Sequence, residues 1–404
     1  ISSGLVGSEM CIRDRVLEIR KIFNLLISVA FSSIGFIAAV TVTVLAAREV
    51  SSNPYFVGFP NAVGVGGAII GTQIFDKLSQ KYSRNRALSN TFLIGGVGGL
   101  VLIYSLIIDS FLLLLFGAFV LGIGQSATLQ TRYAASFVAS ESFKATALSL
   151  AVWFSVFGSI FGPRLVGEYS EIFNKWFGSD LIIGYFIATF GMFLAGISIS
   201  MFSQKDSPLN QKLIVEKSSK IIGLDHTAKL LTRILVLNHF VMVLIMSATP
   251  LHVQDIGETI RLVGTIISYH TLGMFLLSPI LGKLVDKYGN KRFAIIGTLI
   301  LIVSCIFTLF NTDILFLKIG LYLLGLGWNF NYIAISSAIS KYSINNSVNL
   351  NIKSDSMVFI GSAVAHISLG FTYLNIGYTG LVYFGLFVGC SLLISVRKFI
   401  KLTL

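Results

Sequence analysis

The amino-acid sequence predicts an all-α integral membrane protein with twelve transmembrane helices in two pseudo-symmetric six-helix halves. Three observations predict this fold. The 404-residue chain is 54% apolar and only 12% charged, whereas soluble proteins contain about 25% charged residues. The apolar runs reach about 20 residues, enough for a helix to cross ~30 Å of hydrocarbon. Finally, one short pattern occurs twice, 206 residues apart, which is typical of membrane proteins built from repeats.

The predicted spanning segments divide six and six around a polar connector. Their ranges are 24–47, 56–76, 88–108, 111–137, 143–167, 180–203, 230–252, 260–281, 293–310, 314–340, 353–374 and 376–396. We therefore expect six-helix bundles at 21–203 and 230–404, joined by a cytoplasmic linker at 204–229. Within the preceding segment 1–20, about the first 15 residues resemble a stretch that recurs at the ends of translated fragments. We interpret those residues as non-native.

The repeated pattern spans Gly282–Arg292 in the second half and Asp76–Arg86 in the first. Five position pairs are identical: Lys77/Lys283, Leu78/Leu284, Lys81/Lys287, Tyr82/Tyr288 and Arg86/Arg292. Two further matches keep the same order. Val57-Gly58 corresponds to Val263-Gly264 at the same offset, and Leu121-Gly122-Ile123-Gly124 corresponds to Leu324-Gly325-Leu326-Gly327 at an offset of 203. Three ordered matches predict that the two halves are copies of one unit.

The basic residues are distributed unevenly between the two sets of loops. If both termini and the even-to-odd loops lie on one side, that side holds all but five of the 30 Lys and Arg residues. The exceptions are Arg48, Arg164, Lys175, Arg261 and Lys318. This is the positive-inside pattern, and it predicts that both termini are cytoplasmic. It also accounts for the net charge of +12 without a nucleic-acid partner.

The pattern at residues 282–292 resembles the signature loop of the major facilitator superfamily (MFS), which follows the second helix of a half, as it does here. The first copy departs from the signature, because Asp76, Gln80 and Ser83 stand where Gly, Asp and Gly are expected. A second element comprises Gly158, Gly162, Pro163 and Gly167. It resembles the Gly-Pro motif of the family's proton-linked exporters, although Ser149 replaces an expected glycine. The resemblance implies the MFS fold over nearly the whole chain after residue 20.

In this family the signature loop links the two halves on the cytoplasmic side, so the resemblance implies a cytoplasmic gate. We expect a tight turn, with positive φ, at Gly289. Asp286 is expected to pair with Arg132 or Lys144, and Arg84 or Arg86 with Asp355. The predicted gate residues are Asp286, Gly289, Lys287, Arg292, Arg132, Lys144, Arg84, Arg86 and Asp355. The alternatives are that the basic residues only follow the positive-inside pattern, and that Arg132 contacts an anion, pairs with Glu141 or extends to the membrane surface.

Histidines are the ionisable side chains nearest the centres of the predicted segments. His270 and His366 lie inside the eighth and eleventh segments, and His252 lies at the outer end of the seventh. Because histidine titrates near neutral pH, each is a candidate carrier of a coupling proton. The alternative is a neutral histidine hydrogen-bonded to a neighbouring helix. We expect His226 and His239 to lie in a loop and on a helix surface.

The resemblance places the first, fourth, seventh and tenth helices around a central cavity. Gln125, Trp328 and Asn329 would lie near the midplane, where repeat-built transporters bind substrate, and His270 is a further candidate. An aromatic ring beside amides suits an organic ligand better than a bare ion. The alternative is that the amides only bond between helices. We expect the glycines of the Leu-Gly-x-Gly elements to allow close helix packing.

These observations predict a secondary transporter of a small organic molecule in the cell membrane. The chain contains no Gly-x-x-x-x-Gly-Lys-(Ser/Thr) phosphate-binding loop, so we do not expect this chain to drive transport with ATP. We therefore expect proton coupling, with sodium coupling as the open alternative. The Gly-Pro element favours export over the alternative of nutrient or metabolite import. A channel or a non-transporting receptor is a further alternative. We expect no enzymatic activity, cofactor or bound metal, and a monomer.

Overall fold

The computed structural model describes residues 2–140, 143–202, 225–310, 312–346 and 350–402, and every regular element among them is helical. Within these ranges, side chains are not described at residues 2–16, 18, 144–145, 202, 344–346 and 351–352. The helices are α1 (Ser2–Val50), α2 (Phe59–Lys81), α3 (Arg84–Ile107), α4 (Phe111–Val138), α5 (Lys144–Trp153), α6 (Ser155–Phe177), α7 (Ile182–Phe202), α8 (His226–Asp255), α9 (Ile260–Phe275), α10 (Ser278–Tyr288), α11 (Asn290–Thr308), α12 (Ile314–Asn346) and α13 (Leu350–Lys401).

Eleven helical stretches of the described residues are long and apolar enough to cross a membrane. The last of them, Lys353–Lys401, has 49 residues, whereas one crossing needs about 20. Gly377 interrupts it with φ 66° and ψ −179°, a conformation open to glycine because it has no Cβ. Gly377 lies at the start of the predicted twelfth segment, three residues after the predicted end of the eleventh. The count of twelve crossings itself stays a prediction, as do the bundle boundaries, since residues 203–224 lie outside the described ranges.

Two of the predicted segments each consist of two helices in succession. The eighth segment is interrupted between Phe275 and Ser278, immediately before Pro279. Proline has no N–H for the helical hydrogen-bond ladder, so it is well placed at the start of α10. The fifth segment is interrupted at Phe154, between α5 and α6. Each pair still forms a single stretch of spanning length.

Glycines at matching positions let the helices of each half approach closely. A Cβ at Gly122 of α4 would overlap the carbonyl oxygen of Gly64 in α2, and a Cβ at Gly325 of α12 would overlap that of His270 in α9. The two contacts are related by the sequence offsets of 203 and 206. Since Gly122 and Gly325 belong to the Leu-Gly-x-Gly elements, the predicted role of those glycines in close helix packing is confirmed.

Buried hydrogen bonds repeat in the same way. In the first half, the Thr128 hydroxyl of α4 donates to Ser32 of α1 over 3.0 Å. At the same offsets in the second half, the side chains of Asn238 in α8 and Asn331 in α12 hydrogen-bond over 3.1 Å. Both pairs are buried, where an unpaired polar group would cost free energy. The two halves therefore share packing contacts and polar contacts as well as sequence.

The halves pack backbone against backbone at the end of the bundle where α1 ends and α9 begins, which we call the Arg48 face. A Cβ at Gly58, at the start of α2, would overlap the carbonyl oxygen of His366 in α13. One turn away, a Cβ at Gly370 would overlap the carbonyl oxygen of Tyr55. No side chain fits between these backbones, so the two halves are in direct contact here.

The same contact is repeated between α6 and α9. A Cβ at Gly264 would overlap the Pro163 carbonyl oxygen, and a Cβ at Gly167 would lie 2.8 Å from the Cα of Arg261. In the sequence, Gly264 and Arg261 lie 206 positions after Gly58 and Tyr55. His366 and Gly370 lie 203 positions after Pro163 and Gly167. Pro163 and Gly167 of the Gly-Pro element thus contact the second half, whereas Gly158 and Gly162 pack against α1. The Arg48 face is closed by two symmetry-related seams.

Candidate substrate-binding and gating sites

A polar surface on α4 and an aromatic surface on α12 occupy equivalent positions in the two halves. Gln125 and Trp328 differ by the repeat offset of 203. Gln125 and Arg132 are seven residues apart, and Trp328 and Tyr332 are four apart, so each pair shares one helix face. The Trp328 and Tyr332 rings stack with centroids 4.8 Å apart. On α4, the Gln125 Oε1 and Arg132 Nε atoms are buried without a hydrogen-bond partner among the described residues.

Two buried amides lie at and beside the Trp328 position. Asn238 of α8 donates from its amide to the Trp328 carbonyl oxygen over 3.1 Å. The neighbouring Asn329 is 1% exposed, and its Oδ1 accepts from the Ser278 hydroxyl at 3.2 Å. Its Nδ2 is buried without a partner among the described residues. Unsatisfied buried donors and acceptors of this kind are costly in a finished core and are expected where a ligand binds.

His239 is a site residue that the sequence reasoning missed. We expected it on a helix surface, but in the structure it is half-buried. Its Nδ1 accepts a hydrogen bond from the Trp328 indole N–H over 3.0 Å. The Trp328 side chain is only 7% exposed, so the contact lies inside the bundle. The repeat offers the one sequence signal for it, because His239 follows Asn238, the counterpart of Ser32.

His270, predicted as a substrate or proton site, is 0% exposed. Its Nδ1 lies 2.9 Å from the Leu321 carbonyl oxygen of α12, which matches the alternative of a histidine bonded to a neighbouring helix. Its Nε2 is buried without a partner among the described residues. The structure places His270 at the packing contact between α9 and Gly325. Its functional role stays a prediction.

The other two predicted proton sites lie among hydroxyl groups between α8 and α13. His366 Nδ1 is 3.3 Å from the Ser247 hydroxyl. His252 stacks on Tyr378 with ring centroids 4.2 Å apart, and the Tyr378 hydroxyl lies 3.1 Å from that of Thr249. Both histidines are less than 9% exposed. His366 is also within electrostatic range of His239, so two of the histidines of the second half lie near each other.

Arg132 connects the two halves towards the opposite end of the bundle, which we call the Gly289 face. Its guanidinium hydrogen-bonds the hydroxyl of Tyr332 in α12 and lies within electrostatic range of Asp355 in α13. It also donates to the Tyr133 hydroxyl over 3.3 Å. Asp286, its predicted partner, is exposed and has no ion pair with any described side chain. The Lys144 side chain and Glu141 lie outside the described residues.

The remaining predicted gate residues surround the signature loops. Gly289 has φ 89°, which confirms the expected positive φ. Ser83, at the corresponding position, instead has extended φ/ψ and accepts a hydrogen bond from the Arg86 N–H on its side-chain oxygen. Cation–π contacts place Arg84 over Phe137, Arg86 over Tyr82 and Lys287 over Tyr288. Arg292 is exposed. Asp355 interacts electrostatically with Arg132 in this conformation.

An ion pair joins the halves at the Arg48 face. The Arg48 guanidinium at the end of α1 lies 2.6 Å from Asp255 at the end of α8, and it also donates to Gln254 over 3.3 Å. Tyr373 of α13 donates to the same Asp255 carboxylate over 2.6 Å. Arg48, Gln254 and Asp255 line a cavity of about 300 Å³, together with Leu45 and Glu49. Arg48 is one of the five basic residues that depart from the positive-inside pattern, which was the available sequence signal.

Comparison with known proteins places this architecture in one family. The sequence profile described as "Major Facilitator Superfamily" matches residues 25–343 and, separately, 231–402. Two Bacillus subtilis (strain 168) proteins, the uncharacterized MFS-type transporters YdeG and YddS, are each 32% identical to the chain. YdeG aligns over 81% of this chain and 79% of its own length, and YddS over 78% and 76%.

More distant proteins share the fold. The riboflavin transporter RfnT of Brucella anthropi is 23% identical, over 73% of this chain and 74% of its own. The solved xylose transporter XylE of E. coli, in a partially occluded inward-open conformation, superposes with a TM-score of 0.68 at 14% identity, covering 95% of this chain and 100% of XylE. A POT family peptide transporter gives 0.62 at 12% identity, covering 95% and 98%.

Proposed function

Because the chain belongs to the major facilitator superfamily, we propose that it is a proton-coupled secondary transporter that exports a small organic molecule by alternating access. The family and the transporter relatives support membrane transport. The substrate, the coupling proton and the direction are the proposal. We place the protein in the bacterial cell membrane as a monomer, with both termini cytoplasmic, on the basis of the positive-inside pattern.

The observation that carries the proposal is the pair of repeat-related surfaces on α4 and α12. One offers the unpaired polar atoms of Gln125 and Arg132, and the other offers the stacked rings of Trp328 and Tyr332 with the unpaired amide of Asn329. A stacked aromatic pair surrounded by a few polar groups is typical of sites for small organic ligands. It favours a planar aromatic substrate with hydrogen-bonding groups, a class that includes the riboflavin named for one relative.

Alternating access requires that one end of the bundle is closed while the other admits substrate. The glycine seams and the Arg48–Asp255 ion pair close the Arg48 face. In this conformation we propose that substrate reaches Trp328 from the Gly289 face. The Arg132–Tyr332 contact then belongs to the gate at that face: it loosens to admit substrate and forms again, with other contacts, when the Arg48 face opens.

Export and proton coupling rest on the Gly158, Gly162, Pro163 and Gly167 element and on the histidines. Glycines of that element pack against both α1 and α9, so it lies at a helix junction that alternating access must rearrange. His366 and His252 lie among hydroxyl groups that can exchange protons with them. Import with proton flow is the alternative.

The test is transport by the full chain reconstituted in liposomes. A pH gradient is imposed in each direction over a mixed panel of metabolites and toxicants that includes riboflavin, and mass spectrometry reports what crosses. Accumulation against the proton flow would support the proposed exchange, and accumulation with the flow would establish import instead. A channel would be indicated if flux needs no pH gradient and its rate does not saturate as the concentration of any panel compound rises. That result would overturn the proposal.

A matched pair of variants tests the site. Trp328→Ala removes the stacked ring, so we expect transport of the panel substrate to fall at least tenfold. Trp176→Ala is the control, because Trp176 is 72% exposed on the bundle surface. Equal transport by the two variants would exclude Trp328 from the substrate site.

A further inference from the structure

The hydrogen bond between Trp328 and His239 determines the protonation state of that histidine. An indole N–H can only donate, so His239 Nδ1, 3.0 Å away, must be an unprotonated acceptor. The ring is therefore neutral, with its proton on Nε2. A second proton would have to enter at Nδ1. Two donors would then face each other across 3.0 Å, and the hydrogen bond would be lost.

The Trp328 indole cannot move independently of its neighbours. It is 7% exposed, and it stacks on Tyr332 with an angle of 13° between the ring planes. The two residues share a face of α12, four positions apart. A displacement of the indole away from a protonated His239 therefore pushes on the Tyr332 ring. The Tyr332 hydroxyl in turn bonds to Arg132, which belongs to the other half.

We propose that His239, Trp328 and Tyr332 form a relay through which protonation of His239 weakens the contact of Tyr332 with Arg132 and so loosens the gate at the Gly289 face. His239 is a positioning residue in this relay. The inference rests on the proposed proton coupling and assigns it to a histidine other than His252, His270 and His366.

The charged and titratable groups around His239 influence how readily its ring takes up a second proton. α13 contributes His366, which is within electrostatic range, so two positive rings would repel and the pair favours one proton at a time. α12 contributes Trp328 and Tyr332. α1 meets α8 through Arg48 and Asp255 at the far end of the bundle. Beyond Tyr332 lie Arg132 and Asp355, whose opposite charges interact, so Arg132 retains a partner when Tyr332 leaves it.

The first measurement follows the relay at its centre. Trp153→Phe and Trp176→Phe leave Trp328 as the sole tryptophan of the full chain, which is placed in lipid nanodiscs. We expect the indole emission to change with pH through a single midpoint. His239→Gln keeps an acceptor for the indole N–H but takes no proton, so the change should disappear. His270→Gln is the matched control and should keep it, because His270 bonds to a backbone carbonyl elsewhere.

The second measurement follows the gate. Spin labels at Lys77→Cys and Lys283→Cys, in a background in which Cys11, Cys305 and Cys390 are serine, report the distance between two exposed, repeat-related sites at the Gly289 face. We expect low pH to shift the distance distribution in this background and in His270→Gln. The shift should be absent in His239→Gln and in Trp328→Phe, which keeps the stacked ring but has no donor.

A pH-dependent distance that persists in both His239→Gln and Trp328→Phe would overturn the relay. If one of these variants fails to fold, the other still decides the question. An emission change that depends on His239 without any change in distance would also overturn it, since the gate would not respond. Neither readout uses a substrate, so failure of the relay and failure of the proposed transport activity give distinguishable results.

Discussion

Replacing Gly264 with alanine should open the Arg48 face. The new Cβ would overlap the carbonyl oxygen of Pro163 and lie 3.0 Å from its carbonyl carbon. Both atoms are backbone, so a side-chain rotation cannot relieve the clash. The α6–α9 seam must separate, and the closed state loses stability relative to the state in which this face is open. Gly264 lies inside α9, where alanine itself favours the helix, so the effect arises from the contact between the halves.

Overpacking of this kind costs about 1–3 kcal/mol. Since each 1.4 kcal/mol is a factor of ten in an equilibrium constant, the population with an open Arg48 face should rise by about 5- to 150-fold. Gly58→Ala should act in the same direction, because its Cβ would overlap the His366 carbonyl oxygen in the other seam. Two separate substitutions at repeat-related positions therefore test one mechanism.

The assay is maleimide labelling of Leu45→Cys in a chain whose three cysteines are replaced by serine. Leu45 is 2% exposed. It borders the cavity beside Arg48 and a second cavity lined by Gly167 and Arg261, so its labelling rate reports opening. Gly66→Ala is the control, since a Cβ there meets nothing within 4 Å. If Gly264→Ala and Gly58→Ala label no faster than Gly66→Ala, the seams do not hold this face closed and the reasoning fails.

Two further predictions concern charged groups near the helix ends. Arg48→Gln should change the labelling rate of the same reporter by no more than about fivefold, because the ion pair with Asp255 is partly exposed and such pairs contribute about 0–1 kcal/mol; a change of a hundredfold would contradict this. Burial alone would raise the pKa of Asp225, but the backbone N–H of Ala228 donates to its carboxylate over 2.7 Å, and the net pKa is lowered. The carboxylate therefore stabilises the fold above the unfolded pKa of about 3.9, and this stability is lost as the pH falls through the lower folded pKa. Wild-type protein should melt at a higher temperature than Asp225→Asn at pH 7, and the difference should shrink as the pH falls below the unfolded pKa, whereas a constant difference would exclude a stabilising charge at this cap.

The sequence offsets of the repeat hold even for individual contacts in the structure. The offsets of 206 and 203, taken from short matches, relate Gly122 to Gly325 in packing and Thr128 to Asn331 in hydrogen bonding. The positive φ at Gly289 was also expected. These features depend on which residue type occupies a given backbone position, so the sequence at that position is enough to predict them.

The partners of polar side chains were much harder to predict. Arg132 contacts Tyr332 and lies within electrostatic range of Asp355, whereas the sequence analysis offered Asp286, Glu141, an anion or the membrane surface. His239 was assigned to a helix surface and instead accepts from Trp328. In each case the partner lies on a helix that is remote in sequence. Nothing in the local pattern says which of several candidate faces will be opposite.

The sequence by itself therefore determined the membrane-spanning character, the two-fold repeat and the family resemblance. The hydrocarbon thickness imposes the length of each apolar run, and a duplicated unit preserves its spacing. Only the tertiary structure decided that the Arg48 face is closed, that Arg48 pairs with Asp255 and that a histidine bonds to the central tryptophan. The physical reason is that these contacts depend on how closely the two halves approach, and that distance follows from all the interlocking glycines and side chains together.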